Sequence, residues 1–490
     1  MTPASRAGGD DGIAAVVPAP LAVPPSVRRA RRSATAAYAA QGFGFAVMLT
    51  NVPTYERYLG IGPDVITLVI LGVCVCAATG SALSGRLAAR FGSARVVTGG
   101  LLVAAAGILA VGSSAGAGLL ATFFLAFAVY GLALGSVDAS TSMQGIDVQR
   151  AHGRSLIAAF FAANAAGGVV GSLAVSGAAA LGFALPVSLA LVAGVVAVAV
   201  LVLRAGLLSR TAAVVVAGST GAPPAGSGTP VPDGVAPAAG SGGGSAVAGQ
   251  GEAGAGGAAA GARGATGMVG AGTVIVLGVA MLAFPVADSA VSSWGATFLQ
   301  GVLGASAVVG PLGFGAYQAT LICSRLLGDR AVERWGRVRV VALGGAVGVV
   351  GLGLVAVSPV WPLAVLGFAA TGLGLGVVAP MAFSAAGDRA AEAVAAAGAA
   401  VGATDGATDG AEGTSKGLPT VEDATDRAVA RLNVFTYVGA VLGGAMTGVF
   451  ATTDALRAGF GVLAVLALAT VLLAGRFREA ELTVDVSERA

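Results

Sequence analysis

At 490 residues the chain has the length of three soluble domains, yet 56% of its residues are apolar, 79 are glycine and only 10% are charged, too few charges to cover a water-soluble protein of this size. The mean hydropathy of +0.88 points to a polytopic membrane protein. The formal net charge of +3 comes from arginines spread singly between apolar runs, with no basic stripe interleaved with aromatics, so nucleic acid is not an expected partner.

In chain order, residues 1–33 are rich in Pro and Ala and read as a disordered tail. Met1 to Pro25 holds no continuous apolar core, so a cleaved signal peptide is not expected. Runs long enough to span a bilayer as helices follow near 34–55, 65–84, 96–114, 117–138, 155–179 and 183–203, giving an N-terminal six-helix half over 34–204. The segment 205–267 is Gly/Ala/Ser/Pro low-complexity sequence and reads as a flexible linker. Six more runs, near 268–293, 305–326, 339–357, 361–384, 431–451 and 456–475, make a C-terminal half over 268–476. That half carries a second low-complexity insert at 387–426, and 477–490 is the C-terminal tail. The predicted fold class is therefore all-α, with twelve transmembrane helices in two halves.

The arginines set the orientation. With a cytoplasmic N-terminus, 25 of the 27 basic residues fall in cytoplasmic pieces, and only Arg57 and Arg457 fall outside. Five of the 25, beginning with Arg325, count towards the connection after the eighth run. Both termini are thus expected in the cytoplasm, with the chain in the inner membrane.

The two halves also repeat. GRLAARFGSARV at 85–96 aligns with DRAVERWGRVRV at 329–340 under an offset of 244, and the same offset places Leu59-Gly60 on Leu303-Gly304. Two six-helix repeats in one orientation are the layout of parallel-repeat transporters. Gly85-Arg86-Leu87-Ala88-Ala89-Arg90-Phe91-Gly92 resembles the G-x-L-A-D-R-x-G motif of the major facilitator superfamily, with Ala89 at its acidic position; the second copy restores the acid as Glu333 before Arg334 and Gly336. A narrower resemblance is to a group of bacterial inner-membrane facilitators of mostly unassigned substrate, distantly like the fucose permease. It rests on the Asn51 to Gly62 segment with Pro53, Leu59 and Gly60, on Asp288 to Gly295 with its acid and Trp294, on SRLLGDRAVERWGRVRV, on PMAFSAAG, and on Gly135-Ser136-Val137-Asp138. The polar positions that differ include Asn51, Glu56 and Ser142, where a substrate would be read, so the resemblance carries no substrate.

The candidate residues follow from the cost of polarity in hydrocarbon. Asp288, three residues after Pro285 in the seventh run, is the candidate for proton coupling, the alternative being a rim residue in water. Asn51, Tyr130, Asn164, Tyr317, Gln318 and Tyr437 are candidates to line a substrate cavity, the last five equally able to make an interhelical hydrogen bond. Gly85, Arg86, Arg90, Gly92, Asp138, Asp329, Arg330, Glu333, Arg334 and Gly336 form a candidate cytoplasmic gate, with Asp138 a possible partner for Arg86 or Arg90, or else serve only to enforce topology. Glu56 and Arg57 read as a surface pair at the end of the first run or as part of a gate. Cys74, Cys76 and Cys323 read as small buried residues, two of them facing opposite ways on one helix, and His152 is the single histidine. HExxH, Walker A and CxxC patterns are absent, so neither enzyme chemistry, a metal nor a cofactor is expected.

The sequence reads as a monomeric secondary active transporter that works by alternating access on a small molecule. Proton coupling and a polar, sugar-like metabolite are preferred. Export of drugs or secondary metabolites is the alternative, and a non-transporting membrane sensor the more distant one.

Overall fold

The structure is a computed structural model that describes residues 23–152, 156–208, 270–405, 421–450 and 455–478. Among the described residues the N-terminal half comprises α1 (Pro25–Thr50), α2 (Val52–Leu59), α3 (Pro63–Phe91), α4 (Ser93–Gly116), α5 (Leu120–His152), α6 (Ile157–Ala180) and α7 (Leu185–Leu203). The C-terminal half comprises α8 (Ala271–Met281), α9 (Ala283–Thr297), a π turn (Phe298–Val302), α10 (Gly310–Trp335), α11 (Arg337–Val357), α12 (Trp361–Leu375), α13 (Val378–Asp405), α14 (Val421–Val449) and α15 (Ala455–Leu473).

Prolines explain both the starts and the breaks of these helices. Pro25, Pro63, Pro186, Pro311 and Pro362 stand in first turns, where a missing N–H removes no bond. Inside a helix a proline strips the bond to the carbonyl four residues back and crowds it. Pro53, Pro285 and Pro380 do this to Leu49, Met281 and Gly376, and the helix is interrupted at Asn51, at Leu282 and at Gly376–Val377. Joined across these breaks, the described helices form twelve rods running alternately up and down. Ten spans are long and apolar enough to cross a membrane. The first and eighth rods, α1 and α10, fall short by that measure because they carry Gln41 and Thr50, and Tyr317, Gln318 and Arg325.

The halves are built alike. The pairings α1–α6, α3–α5, α4–α5 and α4–α7 recur as α9–α14, α10–α12, α11–α12 and α11–α15. The 244-residue offset survives in backbone shape: Gly60 and Gly304 have φ of 63° and 64°, and Gly92 and Gly336 have φ of 85° and 78°. Close packing depends on small residues. A Cβ on Gly42 would collide with the carbonyl of Asn164, one on Gly80 with that of Leu132, and one on Gly135 with that of Ala77. Outward, large apolar side chains such as Leu68, Val75, Leu125, Val198, Val350 and Val465 are exposed around the bundle, a far larger apolar surface than a soluble monomer carries. Cys323 is among the exposed residues, whereas Cys74 is buried as expected.

Several boundaries differ from the sequence expectation. Helix α1 begins at Pro25, inside the expected tail, and α7 leads into a short turn whose Leu207 and Leu208 are buried. The expected insert at 387–426 is helical on both flanks, through α13 to Asp405 and from Val421 in α14. Most of the expected linker and both outer tails lie outside the described residues.

Candidate functional site

A cavity lies where the halves face one another. It has a volume of about 710 Å³ with the open space at its mouth included. Its N-terminal wall is Phe45, Met48, Leu49, Val52 and Tyr55 of α1 and α2, Ile66, Val69, Ile70, Val73 and Cys74 of α3, and Phe127, Tyr130 and Leu134 of α5. Its C-terminal wall is Asp288, Ser289, Ser292 and Ser293 of α9 and Ala440 of α14. Most of the polar groups are already engaged. Ser289 Oγ donates to Ala440 O at 2.7 Å, Ser292 Oγ to Ser289 O at 3.0 Å, and the Tyr55 hydroxyl to Met48 Sδ at 3.7 Å. What remains is a largely apolar, aromatic wall with the Tyr130 hydroxyl, facing a strip that bears one carboxyl group and the Ser293 hydroxyl.

Asp288 is 6% exposed, so it is an interior residue and not a rim residue in water. Pro285 and the kink below it tie α9 to α14, where the Pro285 ring sits against Gly439 and Trp294 Nε1 donates to Gly444 O at 3.3 Å. Across the α9–α10 interface Asp288 meets Tyr317 and is coupled electrostatically to the buried Arg325 guanidinium. The Tyr317 hydroxyl and Asp288 Oδ1 are both buried without a close hydrogen-bond partner. Tyr317, Leu321 and Arg325 lie four residues apart on one stripe of α10, and helical side chains lean toward the N-terminus, so the Arg325 stem carries its guanidinium up toward Tyr317. Sequence reasoning counted Arg325 as a topology marker in a connection. The usable signal was its i, i+8 spacing from Tyr317 inside an otherwise apolar helix.

The other cavity candidates are placed differently. Only Tyr130 reaches the wall. Asn51 stands at the Pro53 kink and donates Nδ2 to Val47 O at 2.8 Å, so it repairs the broken helix instead of facing a ligand. Asn164 is buried on α6 beside the close approach to Gly42, and Gln318 packs against Gly168 of α6 at the junction of the halves. The side chain of Tyr437 lies outside the described residues. Tyr317 serves the Asp288 cluster.

The arginine motif is also laid out differently from expectation. Asp138 accepts from Gln41 Nε2 at 2.8 Å, and Thr141 Oγ1 donates to Gln41 Oε1 at 3.3 Å, so Asp138 is committed to α1 and not to Arg86 or Arg90. Gly85, Arg86 and Arg90 are exposed, with the Arg90 guanidinium 5.3 Å from the Phe91 ring. In the second copy Asp329, Arg330, Glu333 and Arg334 are exposed as well. Gly92 and Gly336 end α3 and α10 and turn the chain into α4 and α11. An ion pair at this end is one the motif does not announce: Arg337, buried as the first residue of α11, meets the half-buried Asp388 of α13 at 2.7 Å. A polar clasp holds the N-terminal half, where Gln144 accepts from Leu208 N and donates to Leu208 O, both at 3.0 Å, and donates to Ser93 Oγ at 2.7 Å. At the opposite end Arg57 bonds Thr54 at 3.1 Å and not Glu56, whose Oε1 is buried without a hydrogen-bond partner.

Comparison with known proteins agrees with this architecture. The pattern of the Major Facilitator Superfamily matches residues 34–408. An uncharacterized MFS-type transporter of Yersinia pestis is 25% identical over 431 residues, which cover 87% of this chain and 90% of that protein. The solved structure of the nucleoside transporter NupG superposes with a TM-score of 0.55 at 14% identity, over 91% of this chain and 98% of its own. FucP in its outward conformation does so with a TM-score of 0.52 at 11% identity, over 93% and 100%. These two likenesses establish the fold, and the family match over most of the length establishes membership: the chain belongs to the major facilitator superfamily and is a multi-pass membrane transporter.

Proposed function

We infer that the protein is a proton-coupled secondary active transporter that carries a small molecule through the cavity between its halves by alternating access. The observation that carries this reading is the position of Asp288, which lines the cavity on one side and faces Tyr317 and Arg325 on the other. An ionised Asp288 draws the Arg325 guanidinium toward α9. A proton on Asp288 cancels that attraction, so protonation biases the packing of α9 against α10, and a bound ligand at the same carboxyl feels the change. By the arginine bias the ends bearing Arg86 and Arg330 face the cytoplasm, with both termini there, in the inner membrane; the working unit is a monomer.

The sequence preference for a sugar-like substrate rests on amides and tyrosines and on few aromatics; of those amides and tyrosines only Tyr130 lines the cavity among the described side chains. The wall that does line it is largely apolar, which supports the other reading, export of drugs or secondary metabolites. A screen of metabolites and drugs by thermal shift on the purified protein identifies ligands, since a ligand of the folded state stabilises it by mass action. Those ligands, added to proteoliposomes loaded with a pH-sensitive dye, are expected to move protons. Transport of a ligand with no proton movement at any imposed gradient contradicts the coupling.

A further inference from the structure

We propose that the substrate is a lipophilic amine: one protonated nitrogen on a compact apolar or aromatic body. This deepens the preceding reading and rests on it, since it takes the same cavity as the transport site.

The two walls differ in kind. The N-terminal wall is Phe45, Val69, Val73, Phe127 and similar apolar groups, with the Tyr130 hydroxyl as its one uncommitted polar group. A sugar would bring a hydroxyl on nearly every carbon, and every one turned to that wall beyond the reach of Tyr130 would lose its water with nothing in return. An apolar body gains from the same burial. The C-terminal wall is short of free polar groups too. The hydroxyls of Ser289 and Ser292 are held by backbone carbonyls, which leaves Asp288 and Ser293 to meet a ligand. No basic side chain lines the cavity among the described residues. One acid and no base complement a cation that donates hydrogen bonds, and a charge-assisted bond in a water-poor cavity is the strongest contact this site can make. Arg325 is coupled to the same carboxyl from outside the cavity lining, so an amine and Arg325 compete for one carboxylate. That competition links substrate binding to the α9–α10 packing.

The test uses calorimetry on the full-length purified protein at pH 7 with three probes: 2-phenylethylamine, its uncharged N-acetyl derivative and D-galactose. The amine is expected to bind saturably and at least about 30-fold more tightly than the N-acetyl compound, the penalty for removing one member of a buried charged pair. Galactose is expected not to bind. Asp288→Asn should weaken the amine by a similar factor and leave the N-acetyl compound unchanged; if that variant does not fold, the three-probe comparison on the unaltered protein decides. No saturable amine binding, equal binding of the amine and its N-acetyl form, or tighter binding of galactose overturns the assignment. Proton coupling is read separately, in proteoliposomes. Amine binding without linked proton movement removes the coupling and keeps the substrate class, and proton movement driven by galactose does the reverse.

Discussion

At the scale of single residues, backbone contact sets the tolerance. A Cβ on Gly135 would enter the carbonyl of Ala77, and since backbone cannot swing aside, α3 and α5 must separate. Gly135→Leu is expected to cost about 3 kcal/mol or more, while Gly72→Ala, in open space on the same α3, should be neutral or mildly stabilising. Thermal denaturation followed by size-exclusion chromatography compares the two, and equal melting points would refute the close-packing account. Glu56 makes a second case, beyond the end of the first span. Burial pushes its carboxyl up to about 7, with Arg57 pulling the other way. A raised acid destabilises the fold as pH climbs from the ordinary carboxylate range through 7, because the folded state then has to hold a charge the unfolded chain carries freely. Glu56→Gln should therefore melt higher than the parent at pH 8 and alike at pH 4, and a pH-independent difference would contradict this. Asp288 was legible in the sequence because an acid in an apolar run is conspicuous. Arg325 was not, since an arginine near the end of a run looks like one in the connection, and only the three-dimensional path of α10 turns it inward. Asn51 was misread for a related reason: composition shows a polar residue at a kink, but not that the kink itself uses its hydrogen bonds.

At the scale of elements, the apolar runs located the rods, yet the ends of the helices followed a different rule. Hydropathy reports the part in hydrocarbon, whereas helix propensity continues past it. The stretch Ala385 to Asp405 is dominated by alanine, the strongest helix former, so α13 runs on where composition alone suggests a tether. The linker start is likewise structural up to Leu208, because Gln144 pairs with both its backbone groups. Gln144→Leu would leave those groups buried and unpaired, at about 1–3 kcal/mol for each, and the loss should be visible as a lower melting temperature; an unchanged one would mean the clasp contributes nothing. The low-complexity part beyond it is expected to be dispensable. Shortening 221–261 so that a tether of roughly 25 residues remains still leaves tens of ångströms of reach. Transport lost with membrane insertion intact would show that this segment does more than connect.

At the scale of the whole molecule, the contacts between halves gather from mid-depth toward the end that carries α2. There Phe45 faces Phe314, Gly168 meets Phe314 and Gln318, Ser172 meets Gly315, and Ile70 meets Gly444. The arginine-motif side chains are exposed at the other end. If the motif arginines act as a latch, they close the arginine-rich end in one state of the transport cycle. Arg90→Ala with Arg334→Ala should then favour states open at that end, and cysteine probes there should label faster. Unchanged labelling and transport would reduce both residues to topology markers. The central claim, that Asp288 carries the coupled proton, is tested most directly by Asp288→Asn in proteoliposomes, measuring gradient-driven accumulation and substrate counterflow side by side. The variant cannot titrate but keeps volume and hydrogen bonding, so accumulation across a pH gradient should collapse while counterflow, which needs no net proton movement, persists. Full accumulation by the asparagine variant would contradict the account and remove Asp288 from the coupling mechanism.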